Sequence, residues 1–219
     1  MTTTRRTTSI DVDAMYDLLL DRDPVLSAIA DVHGRPDPFA WPGQGATASS
    51  NFAALVMHVV GQQISVRVAL VLFARLEEAV GGRVQPVGVA RLGAVGIRAL
   101  GLSQAKATAV AGLAQLHLTG VLDTDQLDDL PDDQVMTALT AARGIGPWTA
   151  QMFLIHQLRR PDVLPAGDIG VRHAVKQSWD LPEVPTIDEV REFGERWSPQ
   201  RTCATALLWA SLQPAPTSI

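Results

Sequence analysis

The sequence predicts an all-α fold. Helix start signals recur along the chain, where a capping Asp, Ser, Asn or Thr stands just before an apolar run of helical spacing. No stretch keeps the apolar–polar alternation of a half-buried strand for long enough to define one. With 219 residues, 47% of them hydrophobic, the chain is long enough for one large domain or two small lobes with a substantial core.

The first helices are predicted from their caps. Residues 1–9 are polar and Thr-rich, which predicts a disordered tail. Helical spacing runs from Asp11 to Leu20, and Asp23 followed by Pro24 supplies the N-cap and first-turn proline of a second helix. The following stretch, residues 33–50, is rich in Gly, Pro and Ser and is therefore predicted to be a loop.

The middle of the chain is predicted to be a series of helices. Asn51 is the expected cap of an apolar helix ending near Gly61, and a further helix is expected over 65–80. Short helices separated by glycines follow, with Ser103 as the cap of the longest. The acidic run 123–133 is interpreted as a solvated face, and Pro131 is expected to start the next helix.

A glycine-rich turn then leads into another helix. Gly144 and Gly146 flank one apolar residue, and Pro147 suits the first turn of the helix that follows. Free backbone N–H groups at such a helix start can receive a phosphate. Taken alone, however, Gly-x-Gly before a helix is more often a connector than a ligand site.

The last helices follow a Pro- and Gly-rich loop. Asp168 stands where a helix over 169–178 would begin, which fits an ordinary N-cap as well as a functional carboxylate. Thr186 and Glu189 form a capping-box pattern. The final helix is expected to begin at Ser198-Pro199.

The combination of these motifs resembles a known family. Gly-Ile-Gly-Pro-Trp-Thr-Ala at 144–150, then Arg-Pro-Asp-Val-Leu-Pro at 160–165 and Gly-Asp-Ile-Gly-Val-Arg at 167–172, is similar to the helix-hairpin-helix DNA glycosylases, specifically the branch that excises alkylated purines (3-methyladenine DNA glycosylase II). The resemblance implies two helical lobes, a helix-hairpin-helix and a cleft between the lobes. One lobe would be built from about 51–160 and the other from about 10–50 together with 161–219.

The resemblance also implies roles for particular residues. Asp168 is the expected catalytic carboxylate, and Trp148, Met152 and Gln200 would line the pocket for an extruded base. Met152 and Gln200 depart from the best-known members, which can carry a tyrosine and a second tryptophan there. The DNA contacts would come from the corner after the apolar helix, the hairpin and one arginine: Gln62, Gln63, Gly144, Ile145, Gly146, Thr149 and Arg172.

The expected reaction is hydrolysis of the N-glycosidic bond of 3-methyladenine- or 7-methylguanine-type lesions in base excision repair. Bifunctional relatives place a Schiff-base lysine two residues after the second hairpin glycine, where this chain has Trp148, and its lysines are Lys106 and Lys176. We therefore expect a monofunctional enzyme without lyase activity. No cofactor is expected, apart from a structural monovalent cation that the family often holds through main-chain carbonyls, here those of Thr140, Ala142 and Ile145.

Two other classes of function stay open at this point. One is a non-catalytic module that binds DNA structure, and the other is a glycosylase for deaminated or oxidised bases. The net charge of −5 does not favour a nucleic-acid partner by itself, since nonspecific affinity comes from Lys and Arg neutralising phosphates. The expected partner is nevertheless double-stranded DNA with alkylated bases, bound by a monomer through backbone N–H groups and a few arginines.

The cellular location is expected to be cytoplasmic and nucleoid-associated, with no membrane contact. No apolar stretch reaches the length of about 20 residues that a membrane span requires, and the N-terminus lacks the apolar core of a secretory signal. The single cysteine, Cys203, excludes an internal disulfide and a four-cysteine iron–sulfur cluster.

Overall fold

The computed structural model describes residues 10–41 and 50–214. Within these ranges the regular elements are α-helices and short 3-10 segments, with no strand, so the predicted all-α class is confirmed. The predicted disordered tail, residues 1–9, lies outside the described residues. None of the helices in the described ranges is both long and apolar enough to cross a membrane.

The helices are numbered here in chain order over the described residues. They are α1 (Val12–Leu20), α2 (Pro24–His33), α3 (Asn51–Gly61), α4 (Val66–Ala79), α5 (Pro86–Ala99), α6 (Gln104–Leu118), α7 (Asp132–Thr140), α8 (Pro147–His156), α9 (Ile169–Ser178), α10 (Ile187–Gly194) and α11 (Arg201–Ser211). Two 3-10 segments, Thr124–Asp129 and Glu195–Trp197, precede α7 and α11. The chain divides into two compact units, the first made of Met1–Pro38 with Ala166–Ile219 and the second of Phe39–Pro165.

Helix α3 is the buried centre of the second unit. Its residues Asn51–Val60 are all buried, and it is contacted by α4, α6, α8 and the 3-10 segment Thr124–Asp129. The sequence explains this position, because the helix is apolar on every side apart from Asn51 and His58. A helix without a polar face is stable only when other elements cover it.

Helix α11 has the same role in the first unit. Thr202–Leu208 is buried, and α1, α2 and α9 contact this helix. Asp23 fixes one corner of the unit, since its carboxylate caps α2 through Val25 and Leu26 while its Oδ2 accepts a hydrogen bond of 2.8 Å from Nε1 of the buried Trp197. A buried carboxylate that is fully hydrogen-bonded in this way avoids the large penalty of an unpaired charge.

Most of the predicted caps are confirmed. Asp23 and Ser103 each accept a hydrogen bond from a backbone N–H in the first turn of the helix they precede, as predicted, and Asp11 and Ser65 cap α1 and α4 in the same way. Thr186 forms the complete capping box with the glutamate three residues later. These signals are local, so they can be interpreted without knowledge of the tertiary structure.

Three local predictions are wrong. The cap of α3 is Ser50, and Asn51 instead donates from Nδ2 to the carbonyl of Thr124 and to Asp128. Gly96 lies inside a helix and separates nothing, whereas Gly93 (φ +65°) does break α5 into two short helices and Gly101 (φ +107°) does lie between α5 and α6, as predicted. The last helix begins at Arg201, not at Ser198-Pro199, because Gln200 has non-helical backbone angles.

Candidate active site and nucleic-acid-binding hairpin

The predicted hairpin joins α7 to α8, and these two helices pack against each other. Gly144 has a φ of +90°, a conformation that L side chains rarely adopt, and a Cβ placed on it would lie 2.5 Å from the Cβ of Ala109 on α6. The chain therefore requires glycine at this position for its own packing. Gly146 differs, because its φ is −91° and a Cβ there would meet no atom within 4 Å.

The start of α8 is open to an external partner. Its N-cap, Gly146, has no side chain to bond the first N–H groups of the helix, and Pro147 occupies the first helical position. Such a helix end favours an anion through its backbone N–H groups and its dipole. Thr149, in contrast, is buried, so its side chain does not face solvent.

The corner between α3 and α4 is tied to this hairpin. Nε2 of Gln62 donates to the carbonyl oxygen of Gly144 (2.9 Å) and to Oγ1 of Thr149 (3.0 Å). Lys106 donates from Nζ to the carbonyls of Val60 (2.8 Å) and Gln62 (2.6 Å), which satisfies acceptors at the end of α3. Burial lowers the pKa of Lys106 from its ordinary value.

Gln62 and Gln63 therefore differ in their surroundings. Gln62 bonds the hairpin, so its side chain joins the corner after α3 to the turn before α8. Gln63 is exposed and holds a φ of +55°, a conformation uncommon for a non-glycine residue. Of these two glutamines, Gln63 is the one whose side chain the corner presents to solvent.

A cavity of about 280 Å³ in the second unit is lined by two of the predicted pocket residues. Trp148, which is 42% exposed, and Met152, which is buried, meet Trp41, His58 and His156 there. The ring centroid of Trp41 lies 4.9 Å from that of His58, and the His58 and His156 rings stack at 6.1 Å. The volume is at the lower end of the range for small-molecule sites, a size suited to one flat ring system.

The ionisation of His58 follows from this packing. Burial, and secondarily the neighbouring His156, lower the pKa of His58 to about 3. The imidazole is therefore neutral at neutral pH. Nδ1 of His156 lies 3.4 Å from the carbonyl oxygen of Phe39.

Asp168 caps α9 in the first unit. Its Oδ1 accepts hydrogen bonds from the backbone N–H of Val171 (2.9 Å) and from Nε1 of Trp209 (3.3 Å), and the residue is half-buried. Gly170 leaves room for the carboxylate, because a Cβ at that position would lie only 3.0 Å from Oδ1 of Asp168. Asp168 is thus both the N-cap that the sequence permitted and a carboxylate held in one orientation by two donors.

Arg172 and Gln200 bond other groups of the first unit. Nε of Arg172 donates to the carbonyl of Pro185 at 2.7 Å. Gln200 is buried and accepts a hydrogen bond at Oε1 from the guanidinium of Arg22, which also donates to the carbonyl of Ser198. Gln200 thus belongs to a polar network rather than to an aromatic wall.

The side chains at the remaining predicted hairpin positions contact the protein itself. Ile145 and Ala142 are buried, and the carbonyl of Ala142 accepts the N–H of Ile145 at 3.1 Å. The hydroxyl of Thr140 bonds back to the carbonyl of Met136 at 2.7 Å. No group of three or more His, Cys, Asp or Glu side chains in residues 10–41 and 50–214 could hold a metal ion.

Sequence reasoning did not assign a role to Trp209 or to the two histidines of the cavity. His58 and His156 are buried and line the cavity beside Trp148. Trp209 lies 41 positions after Asp168, and no local spacing signals their hydrogen bond. Only the tertiary structure brings these side chains to the predicted ones.

The chain belongs to the family described as "HhH-GPD superfamily base excision DNA repair protein", whose family model matches residues 56–200. This confirms the family that the motifs at 144–172 predicted.

Similar proteins carry glycosylase names. The chain is 29% identical over 171 residues to the putative DNA-3-methyladenine glycosylase YfjP of Bacillus subtilis, covering 75% of this chain but only 60% of that relative. It is also 29% identical over 171 residues to DNA-3-methyladenine glycosylase 1 of Schizosaccharomyces pombe, covering 77% of this chain and 75% of the relative.

Solved structures agree with these relatives in fold. The S. pombe 3-methyladenine DNA glycosylase Mag1 in complex with abasic DNA superposes with a TM-score of 0.79 at 26% identity, covering 94% of this chain and 100% of that one. A DNA-3-methyladenine glycosidase from Bacillus halodurans gives a TM-score of 0.76 at 28% identity, covering 90% and 88%.

Proposed function

We propose that this protein is a monofunctional DNA glycosylase that excises alkylated purines of the 3-methyladenine and 7-methylguanine type from double-stranded DNA. The observation that carries the proposal is the carboxylate of Asp168, oriented by Val171 and Trp209 at the start of α9. Cleavage of an N-glycosidic bond passes through an oxocarbenium-like state, which a fixed carboxylate beside the sugar stabilises. Water adds to the sugar carbon as the base departs, leaving an abasic site and a free base.

The cavity beside Trp148 accounts for the choice of base. A purine alkylated at N3 or N7 carries a positive charge and leaves as a neutral base, so no general acid is required. Stacking on Trp148 and Trp41 offers cation–π attraction of about 0.5–2 kcal/mol. Because the imidazole of His58 is neutral, it does not repel a cationic base.

Water is the nucleophile that the chain supports. Bifunctional chemistry requires a lysine amine at the sugar. Trp148 occupies the hairpin position where such a lysine would stand, and the ammonium of Lys106 bonds two main-chain carbonyls. Strand cleavage by a Schiff base is therefore not expected.

DNA is bound mainly through the hairpin and the corner between α3 and α4. Gly144, Gly146 and the open start of α8, which includes Thr149, present backbone N–H groups to a phosphate, whereas the N–H of Ile145 bonds Ala142 and its buried side chain holds the turn in place. Arg172 adds a cationic side chain. Gln63 is the side chain that fills the gap left by the extruded base, while Gln62 holds its corner to the hairpin.

The charge distribution supports this partner better than the net charge does. The segment from α4 to α6, Val66 to Leu118, contains six basic residues and only two acidic ones, whereas the run 123–133 contains six aspartates. Phosphate contacts depend on the local charge. Binding to a duplex is expected to weaken as salt rises, and an affinity independent of salt would contradict these contacts.

A monovalent cation at the hairpin is part of the same proposal. The main-chain carbonyls of Thr140, Ala142 and Ile145 suit such an ion as neutral oxygen ligands, and the Ala142 oxygen keeps a second lone pair beside its hydrogen bond from Ile145. The ion would stabilise the turn that contacts phosphate. Duplex affinity should then be higher in potassium chloride than in tetramethylammonium chloride of equal ionic strength.

The deciding experiment is single-turnover release of methylated bases from duplex DNA by the wild type, Asp168→Asn and Asp180→Asn. Asparagine is a good N-cap, so Asp168→Asn keeps the start of α9 while removing the charge. We expect its release rate to fall by at least about 100-fold with duplex binding retained. Asp180, an exposed residue just beyond α9, is the matched control and its variant should keep the wild-type rate.

The products separate the alternatives. Strand breaks that form only after alkali would support a monofunctional enzyme, and breaks without alkali would contradict it. A wild type that binds lesion DNA but releases no methylated purine would favour a binding module or a glycosylase for deaminated or oxidised bases. Release that survives Asp168→Asn would remove Asp168 from the mechanism.

A further inference from the structure

His58 is a buried polar side chain without a hydrogen-bonding partner in the described part of the chain. It is 6% exposed, and its contacts there are ring contacts with Trp41 and His156 rather than hydrogen bonds. Buried polar side chains are hydrogen-bonded in the large majority of cases, so an unpartnered one calls for a ligand or water. His58 lines the cavity shared with Trp148 and Met152, where a ligand would meet it.

The chemistry of the ring defines what it would bind. A neutral imidazole has one nitrogen that accepts a hydrogen bond and one N–H that donates. Burial keeps His58 in this form, with a pKa of about 3. Its accepting nitrogen is suited to an N–H donor on a ring held flat between aromatic walls.

Alkylated purines provide such donors in a strengthened form. The positive charge of an N3- or N7-alkylated adenine or guanine spreads over the ring and its exocyclic amino group. An N–H of the cation therefore donates a charge-assisted hydrogen bond, which is roughly twice as strong as a neutral one. Neutral purines would gain less from the same acceptor.

We propose that the His58 imidazole accepts a hydrogen bond from an N–H of the extruded alkylpurine cation and is a specificity-determining residue of the pocket. This inference rests on the proposed function, since it assigns a residue within the same site. His156 and Trp41 have a supporting role, because their rings pack against His58 and fix its plane. The pocket thus combines aromatic walls with the imidazole acceptor of His58.

The test compares three substitutions in single-turnover release of 3-methyladenine and 7-methylguanine from methylated duplex DNA. His58→Phe keeps an aromatic ring but removes both nitrogens, and release should slow by about 10- to 100-fold. His58→Gln keeps an acceptor and should stay within a few-fold of the wild type. His117→Phe is the control: His117 lies in the same unit, against Phe52, outside the cavity.

A second readout separates hydrogen bonding from shape. Free 3-methyladenine and free adenine are titrated into the protein without DNA, and binding is followed by tryptophan fluorescence at a pH where 3-methyladenine is cationic. The wild type should prefer 3-methyladenine, and His58→Phe should lose most of that preference. If His58→Phe does not fold, His58→Ala, which adds no bulk, replaces it in both assays.

The outcomes distinguish a failure of the proposed function from a failure of the role assigned to His58. Wild-type protein that releases no methylated base would overturn the proposed function itself, and the inference with it. If the wild type releases methylated bases and a folded His58→Phe variant releases them at a rate within twofold, the role of His58 would be overturned and the proposed function would stand. The role would also be rejected if His58→Gln fell as far as His58→Phe, since shape rather than an acceptor would then matter.

Discussion

Replacing Gly144 by alanine should destabilise the protein by about 2–5 kcal/mol, whereas the same replacement at Gly146 should change stability by less than about 1 kcal/mol. The first figure has two parts. A non-glycine residue in the left-handed region, here at a φ of +90°, costs about 1–2 kcal/mol. The contact of 2.5 Å with the Cβ of Ala109 adds the penalty for overpacking, about 1–3 kcal/mol.

The two parts can be separated by removing the methyl group that the new side chain would meet. Ala109→Gly should by itself cost about 1 kcal/mol, because glycine is unfavourable inside a helix. Combined with Gly144→Ala it should relieve the contact but not the backbone strain. The double-mutant cycle should therefore show a favourable coupling of about 1–3 kcal/mol between positions 109 and 144.

Gly146 is the matched control for the backbone argument. Its backbone angles are accessible to alanine and a Cβ there meets nothing within 4 Å, so alanine reduces only the entropy of the unfolded chain. If a phosphate approaches this position, Gly146→Ala should weaken duplex binding while stability is kept. Gly144→Ala should lower both.

Urea denaturation followed by far-UV circular dichroism gives the stabilities, and fluorescence anisotropy with a labelled duplex gives the affinities. A Gly144→Ala protein as stable as the wild type would refute the steric reasoning. A loss of stability of several kcal/mol in Gly146→Ala would refute the inference that the space beside Gly146 is open. Unchanged DNA affinity in Gly146→Ala would show that no phosphate lies close to that backbone.

Three further changes probe the surroundings of the site. Because burial depresses the pKa of His58, the neutral imidazole contributes stability that is complete above pH 6.5 and is lost as the pH falls toward 3. In urea titrations over that range, the free energy of unfolding of His58→Phe should fall by up to roughly 4 kcal/mol less than that of the wild type. Equal losses in the two proteins would contradict this prediction. Lys106→Met removes two hydrogen bonds from the end of α3 and should cost about 1–3 kcal/mol in the same denaturation assay; no change would mean that water replaces the ammonium. Trp209→Phe removes an N–H that bonds Asp168 and should slow single-turnover base release about 10-fold with a stability loss below about 1.5 kcal/mol, whereas an unchanged rate would show that this N–H is not needed to orient the carboxylate.

Sequence reasoning succeeded where the determining signal is local. Asp23 followed by proline, and Thr186 followed three residues later by glutamate, encode their caps within a few positions, and the structure has both. Asn51 shows the limit of such reasoning. Its residue type suits a cap as well as Ser50 does, and the choice depends on Thr124 and Asp128, which lie more than 70 residues further along the chain.

The same limit applies to the cavity. Trp148 and Met152 could be assigned to it because they stand one helical turn apart in a recognisable motif. Trp41, His58 and His156 come from three separate segments and reach the cavity only through packing around α3. No spacing rule connects them, and a histidine in an apolar helix is predicted to be a core residue until its neighbours are known.

The acidic net charge and the expected partner are reconciled by what the aspartates do inside the fold. Asp128 accepts from Asn51, Asp132 pairs with Arg160 at 3.2 Å, and Asp123 caps the 3-10 segment, so much of the acidic run stabilises the connection that leads into α7. Structural aspartates of this kind lower the net charge but are confined to one stretch of chain. Because salt screens charges beyond about 8–10 Å, a phosphate at the hairpin responds mainly to groups close to it. The proposed phosphate contacts at the hairpin therefore predict that a charge-neutralising change in the run 123–133 should alter the stability of the α7 connection more than the binding of DNA.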